Sequence, residues 1–509
     1  MYKIRMKKET TTLLGFIVLK FVLQFSLISP EYELHRDEFL HLDQANHLAW
    51  GYASVPPVTS WISSVIKLLG NSVFWIKFFP ALFGALTMVV IWKTIGTLGG
   101  NIFARSLGAT CILFSALLRL NTLYQPNSLD VLSWTTFYFV VVSYVHSEKP
   151  KWLFIGAVIF AIGFLNKYNI VFLLIGLLPA ILLTPQRTLL ARKPVYAAAL
   201  LAILLIFPNL VWQYQNNFPV VRHLEELSET QLVNVDRWGF LKSQLLFFIG
   251  SLFVIVSGLY AVLRYGPLKK YGLFFGVFFF TLVVFVVLKA KDYYAIGLYP
   301  IFIAFGSVFL GKLLETGWKR YLMPVAILIP VVFFIPMYMI AFPNKAPEYI
   351  AKHGQRYRDL GMLRWEDGKD HLLPQDFADM LGWKELAFKV DSVYAALPER
   401  EKTLVLCDNY GQAGAINYYT TQGIRAVSFS ADYVNWFDLD RQYSHLIRVK
   451  NYSERESELV ETGLYFHSAL MADSVTNRFA REYGTTIFAF QDVKIDMNKR
   501  LKEEIAAMK

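Results

Sequence analysis

The sequence predicts a polytopic α-helical membrane domain followed by a soluble α/β domain. Three observations carry that expectation. The 509 residues are 55% hydrophobic and only 17% charged, where an average soluble domain carries about a quarter charged residues, and the mean hydropathy is +0.39. The long apolar runs all lie before residue 342. The charge divides at the same place: residues 1–341 hold 28 Lys+Arg against 14 Asp+Glu, and residues 342–509 hold 22 against 25. The apolar part is therefore the basic part. That suits a membrane protein with basic loops, and not a nucleic-acid binder, whose basic residues gather on a soluble face among aromatics. Two cysteines, Cys111 and Cys407, exclude a disulfide scaffold and a cysteine zinc site.

A helix needs about 20 mostly apolar residues to cross the hydrocarbon core. Runs that qualify are 12–29, 73–95, 102–120, 128–146, 194–212, 239–263, 272–289, 294–311 and 321–341. The stretch 152–184 is long enough for two short spans broken at Asn166-Lys167-Tyr168-Asn169, which makes eleven. With the N-terminal Lys3, Arg5, Lys7 and Lys8 in the cytoplasm, the loops at 147–151, 185–193, 264–271 and 312–320 fall inside and are basic, as short cytoplasmic loops should be. Eleven of the fourteen acids fall outside or at outer helix ends, and so does the segment 342–509. The first run is a little long for a signal peptide, and Ser29-Pro30-Glu31 is a poor cleavage site, so it reads as a retained anchor.

The first outer loop, 30–72, is too long for a plain connection. Residues 37–50 lack Gly and Pro and read as a short helix. Pro56-Pro57 can start another, with Trp61, Val65, Leu68 and Leu69 on one face. Two amphipathic helices lying at the interface fit this pattern. Arg36, Asp37, Glu38, His41, Asp43 and His47 crowd beside the membrane, where such groups are costly and usually functional. The bland alternative is a connector between the first two spans. Asp37 with His41 and Asp43 with His47 stand four apart, a spacing that can chelate a divalent ion, although polar interfacial histidines are the commoner explanation.

Further polar residues mark the outer ends of later spans. Asp130 sits in Gln125-Pro126-Asn127-Ser128-Leu129-Asp130, where a carboxylate also simply suits a helix N-terminus. Lys167 lies between two apolar runs on the side that the topology rule disfavours for lysine, either snorkelling or holding an anion. Lys289-Ala290-Lys291-Asp292-Tyr293-Tyr294 repeats that exception, and a lipid phosphate near the outer surface would account for both. The tyrosines alone would suit an aromatic belt. No GxxxxGK[ST], GxGxxG, kinase or GxSxG signature is present, so nucleotide-driven chemistry and transport lose support.

Residues 342–509 have ordinary soluble composition. Short strands are expected at 404–407, 426–430, 445–449 and 486–490, and helices at 375–396 and 411–421. Asn409-Tyr410-Gly411-Gln412-Ala413-Gly414 follows a strand and opens a helix; it reads as an ordinary turn, with anion binding the sharper alternative.

Arg36-Asp37-Glu38-Phe39, then Gly51-Tyr52 and Pro56-Pro57, resembles the first outer loop of bacterial GT-C glycosyltransferases of the dolichyl-phosphate-mannose protein mannosyltransferase-like group, which includes aminoarabinose lipid A transferases. Val55 replaces the His that usually precedes the two prolines. Gln125-Pro126 through Asp130 and Trp134, Phe164-Leu165-Asn166-Lys167-Tyr168, and Lys289–Tyr294 with Pro300 also look familial. The resemblance covers residues 1–341.

It implies a GT-C-like membrane domain at 1–341, a soluble non-cytoplasmic domain at 342–509, and residence in a bacterial inner membrane. The implied activity passes a sugar from a polyprenyl-phosphate carrier to a hydroxyl on a glycolipid or protein, with inversion. By this resemblance Asp37 is the general base. Lys167, Lys289 and Lys291 would stabilise the leaving phosphate, Asp130 and Glu38 would orient sugar or acceptor hydroxyls, and Tyr168, Tyr293 and Tyr294 would line the substrate site. The competing class is a non-enzymatic transporter or flippase of lipid-linked precursors, which would also need outward cations but no base. Sugar, acceptor and metal dependence stay open.

Overall fold

A computed structural model describes residues 2–508, without the side chains of residues 2–5 and Asn234. Lys3 and Arg5, on which the orientation partly leans, therefore lie outside the described residues as side chains. The chain forms two compact units. One comprises Met1–Ile28, Val55–Thr59 and Phe74–Asn344; the other comprises Ser29–Ser54, Ser60–Val73 and Lys345–Lys509. The expected division at 341/342 lies close to the end of the first unit, but most of the outer loop 30–72 folds with the C-terminal segment.

In the first unit, five helices among the described residues are long and apolar enough to cross a membrane, or eight if each of three bent helix pairs is one span. The shorter apolar helices Ile102–Leu113, Lys151–Asn166 and Leu273–Val287 fall on the other candidate runs. The chain breaks within 152–184 where the sequence does: Lys151–Asn166 ends, Lys167 is extended, and a turn at Tyr168–Ile170 leads into Val171–Leu182. Without a hydrophobic drive between helices in lipid, close backbone approach through small residues sets the packing. Leu252–Arg264 and Pro300–Leu313 meet that way: a Cβ on Gly306 would stand 1.9 Å from the Val254 carbonyl oxygen, and one on Gly258 2.2 Å from that of Phe302. The opposite kind of surface appears on Lys193–Gln215, where Leu200, Ile203, Leu204 and Phe207 are exposed.

The second unit contains a five-stranded sheet of order β2-β1-β3-β5-β4. The strands are β1 (Thr403–Cys407), β2 (Ala426–Ser428), β3 (His445–Lys450), β4 (Phe466–Ser474) and β5 (Thr486–Val493). β1 pairs in parallel with β2 and β3, and β5 runs antiparallel between β3 and β4. The expected strands are all present. β4 is the addition, an edge strand whose Ser468–Asp473 stretch is exposed and which therefore lacks the apolar alternation that marks a half-buried strand. The helix expected over 375–396 is two, Gln375–Ala378 and Trp383–Ala396, because Gly382 turns left-handed at φ +83°. The helix expected over 37–50 stops at Asp43 and continues only as a tight turn, Gln44–Asn46. Val58–Leu68 follows Pro56-Pro57, with Trp61, Val65 and Leu68 exposed along it.

Candidate functional site

The sequence-predicted site residues fall into two clusters, one in each unit.

In the sheet-containing unit, His35 caps the helix Arg36–Asp43: its Nδ1 accepts from the Asp37 backbone N–H at 3.2 Å, and the Glu38 carboxylate accepts from the His35 N–H at 2.7 Å. That reciprocal capping box satisfies two orphan donors of the first turn. It also occupies Glu38, which is fully buried (0% exposed). Glu38, expected to orient a substrate hydroxyl, makes this capping contact through Oε2. The neighbouring Asp37 side chain keeps 35% exposure. Its Oδ1 accepts a hydrogen bond from the Tyr410 hydroxyl at 2.7 Å, and the Arg36 guanidinium lies over the Tyr410 ring, 4.5 Å from its centre. Burial alone would raise the Asp37 pKa, but His35, Arg36, the Tyr410 hydrogen bond and His41 outweigh it and hold the carboxyl at about 2.

The rest of the outer loop is tied to the C-terminal segment. The Glu33 carboxylate accepts from the backbone N–H groups of Trp383 and Lys384, capping the helix Trp383–Ala396. The Arg36 N–H donates to the Asp379 carbonyl, and the Asp379 side chain takes Arg481. Asp43 accepts from Asn417 at 2.7 Å and from Tyr433 at 2.6 Å. Asp432 accepts from Gln44 at 2.9 Å and from the Ala53 N–H at 2.7 Å, while burial pushes its carboxyl up to about 6.

The helical spacing read from the sequence for Asp43 and His47 is not kept. The helix ends at Asp43, so the two do not share a helix face, and His47 stacks on Trp436 at 4.3 Å. Among the described residues no group of three His, Cys, Asp or Glu side chains is arranged to hold a metal ion.

Asn409 caps the helix Tyr410–Tyr419 with its own side chain. The two glycines that follow serve packing. A Cβ on Gly414 would stand 2.7 Å from the Cβ of Phe39 and 2.7 Å from the Tyr433 oxygen, so this glycine lets the helix lie directly on Arg36–Asp43.

In the helical unit, the extended residue Lys167 donates to the Asn127 side chain at 2.7 Å and lies over the rings of Tyr294 (4.3 Å) and Tyr293 (5.0 Å). Asp130 is buried, with one oxygen taking Trp134 Nε1 and the other Asn169 Nδ2; Asn169 also reaches the Tyr294 carbonyl. Lys167, Asp130, Tyr293 and Tyr294, far apart in sequence, are thus brought together. Lys291 is within electrostatic range of Lys167 and donates to Gln231 at 2.6 Å. The Tyr168 hydroxyl donates to Asn209 and accepts from Gln213.

Lys289 occupies the left-handed position (φ +51°) just after the helix Leu273–Val287. The Ala290 N–H returns to the Phe285 carbonyl and the Lys289 N–H to that of Val286, a Schellman ending with lysine where glycine is usual. Its side chain is half-buried.

Sequence reasoning missed Tyr410, Asp379, Asn127 and Asn169 as site members. Asn127, Asn169 and Tyr410 lay inside strings already singled out, but nothing tied Tyr410 to Asp37, 373 residues away, and Asp379 carried no signal.

Residues 54–212 match the family described as dolichyl-phosphate-mannose-protein mannosyltransferase. A lipid A galacturonosyltransferase of Rhizobium johnstonii is 25% identical over 206 residues, a stretch that covers 38% of this chain and 43% of that relative. The fold is that of ArnT from Cupriavidus metallidurans: the structure bound to undecaprenyl phosphate superposes with a TM-score of 0.64 at 12% identity, over 94% of this chain and 98% of that one. The apo structure of the same protein gives 0.62. The protein is an integral membrane protein with that arrangement of apolar helices and a C-terminal sheet. Family match, curated relative and fold agree with the resemblance to the bacterial GT-C glycosyltransferases of the dolichyl-phosphate-mannose-protein mannosyltransferase-like group that Arg36–Phe39, Gly51-Tyr52 and Pro56-Pro57 carry.

Proposed function

We propose that the protein transfers a sugar from a polyprenyl-phosphate donor to a hydroxyl acceptor, a glycolipid or a protein, with inversion, on the non-cytoplasmic face of a bacterial inner membrane. Eleven spans would carry the chain across. Val58–Leu68 would lie in the outer interface with Trp61, Val65 and Leu68 toward lipid, and residues 345–509 would stand outside.

The observation that carries this proposal is the Asp37 carboxylate, held ionised at the first turn of an outer-loop helix and still open to solvent. Asp37 acts as general base. The acceptor oxygen attacks the anomeric carbon and its proton passes to the Asp37 carboxylate. The anomeric carbon–oxygen bond breaks, and the polyprenyl phosphate leaves with the electron pair. A base of low pKa suffices because the hydroxyl becomes acidic only as the new bond forms. Lys167, Lys289 and Lys291 bind the lipid phosphate and balance the charge it gains on leaving. Tyr293 and Tyr294 line that cation site. Asp130 acts at one remove, fixing Asn169 and Trp134, and Tyr168 likewise supports the helix packing.

The support from comparison is that the protein of like fold was crystallised with undecaprenyl phosphate and that the curated relative bears the name of a lipid A galacturonosyltransferase. The test uses purified protein in detergent, a panel of undecaprenyl-phosphate sugars (galacturonic acid, aminoarabinose, mannose) and lipid A. Wild type transfers one of them, and Asp37→Asn loses about 10²–10⁴-fold in rate, the usual contribution of a general base. A variant that keeps its rate removes Asp37 from the base role. A wild type that moves the lipid-linked sugar across vesicles without transferring it is a transporter instead.

A further inference from the structure

The partner of Asp37 comes from the other end of the chain. Tyr410 donates its hydroxyl to Asp37 Oδ1 at 2.7 Å, and everything around this tyrosine holds it still. Asn409 caps its helix and also donates to Glu482 Oε1 at 3.2 Å. Gln412, two residues on, donates to Glu482 Oε2 at 2.6 Å, and the Asp408 N–H returns to Gln412. Glu482 is itself buried and takes the Thr485 hydroxyl as well. The Arg36 guanidinium covers the ring. A surface turn with no further task would not require this buried clamp.

We propose that Tyr410 is a positioning residue of the transfer reaction: its hydroxyl fixes the Asp37 carboxylate in the orientation from which it takes the acceptor proton. The proposal rests on Asp37 being the base. A base must be held to within about 10–20° of its productive geometry, and an aspartate on the first turn of a short helix, a third exposed, is not held by its own helix alone. The phenol is a suitable partner. Burial and the adjacent Asp37 charge raise its pKa well above the ordinary tyrosine value, so it stays a donor at every working pH and does not compete for the proton. The charged groups that act on Asp37 include His35, Arg36 and His41 on or beside its own helix and Asp379 from the C-terminal segment, with Arg481 beside Asp379 and Glu482 beside Arg36. Tyr410 adds to them a directional hydrogen bond to Oδ1.

Tyr410→Phe removes one oxygen and leaves the ring under Arg36. It is read as a double-mutant cycle with Asp37→Asn, by single-turnover transfer from the undecaprenyl-phosphate sugar that wild type uses. Expected are a loss on the order of tenfold in the wild-type background at donor KM within about twofold, and no further loss in the Asp37→Asn background, the non-additivity of groups that act as a unit. The acidic limb of the rate profile should also move up from about 2 toward the ordinary aspartate range. An equal loss in both backgrounds, which is what a purely structural contact or a folding defect gives, overturns the proposal, and so does a Tyr410→Phe rate equal to wild type. If Asp37→Asn alone is fully active, the base assignment has failed, and that outcome is distinct from either.

Discussion

Gly414 gives the sharpest test of how the outer loop is built. Alanine in the interior of a helix is favoured over glycine by about 1 kcal/mol, so Gly414→Ala would stabilise an isolated helix Tyr410–Tyr419. Here the new Cβ would meet Phe39 Cβ and the Tyr433 oxygen, each at 2.7 Å, with the Phe39 carbonyl carbon at 3.2 Å. Phe39 cannot retreat, because Trp383, Tyr418 and Tyr419 enclose it at ring distances of 5.7–5.8 Å. Tyr433 can move only by leaving Asp43, to which it donates at 2.6 Å.

Overpacking of this kind costs about 1–3 kcal/mol, and loss of a hydrogen bond to a partly buried carboxylate about 1.5–3 kcal/mol. Against the propensity gain the net loss is about 1.5–5 kcal/mol. In a unit of this size that lowers the melting temperature by about 3–20 °C. The measurement is a tryptophan-fluorescence melt in detergent. Gly463→Ala is the control, since its Cβ would meet only Ala469 at an ordinary 3.5 Å, and its melt should match wild type. A Gly414→Ala protein melting at or above the wild-type temperature would refute the packing argument and return the Gly-x-x-Gly turn to its alternative as an anion site.

Three further outcomes are expected. The Asp432 carboxyl, raised by burial to about 6, binds its proton more tightly folded than unfolded, so its contribution to stability falls as pH rises from about 4 through 6 and is flat above. Asp37, lowered to about 2, contributes stability that is present above about 4 and lost as pH falls through 2. Melting temperature against pH should therefore decline between 4 and 6, with a slope that Asp432→Asn reduces; an unchanged slope would show that Asp432 is not its source. Lys289→Gly relieves a left-handed backbone strain of about 1–2 kcal/mol, so the protein should melt no lower, yet bind undecaprenyl phosphate about tenfold more weakly in a fluorescence titration. Unchanged affinity would remove Lys289 from the phosphate site. Tyr168→Phe should cost about 1 kcal/mol in stability and leave transfer within about twofold, whereas a tenfold loss would put Tyr168 back at the substrate.

The sequence was informative where one physical requirement acts on neighbouring residues. Hydrocarbon thickness dictates long apolar runs, so the helices were readable, and so was the break at Lys167, where Asn166 and Asn169 interrupt the run and now hold Pro126 and Asp130. β1 is buried on both faces and reads as a continuous apolar string, Leu404–Cys407. β4 was silent because an exposed edge strand has no pattern to enforce. The candidate site divides along the same line. Asp37, Lys167 and Lys289 were visible because charge beside a membrane is costly and must have a reason. Tyr410 was not, since a tyrosine on a soluble helix is unremarkable until its partner is known.

Costly charge does not by itself mean substrate contact, and the outer loop shows how to separate the two. Glu33, Glu38 and Asp43 each accept from groups within the same unit: a helix N-terminus, the His35 N–H of a capping box, and an asparagine with a tyrosine. The crowding that made the loop conspicuous is thus mostly the means by which 33–53 is fastened to the C-terminal sheet region. Asp37 stands in that same framework but differs in two respects that matter for chemistry. Its carboxylate is drawn toward the ionised form by cations and a donor from both ends of the chain, and its side chain remains a third exposed. The C-terminal segment is therefore more than a cover. By fixing the loop at Glu33, Arg36, Asp43, Gln44 and Ala53 and then touching Asp37 itself, it determines where the proposed base can point, so altered activity from substitutions at Tyr410, Asp379 or Asp432 would reflect that framework and not a second active site.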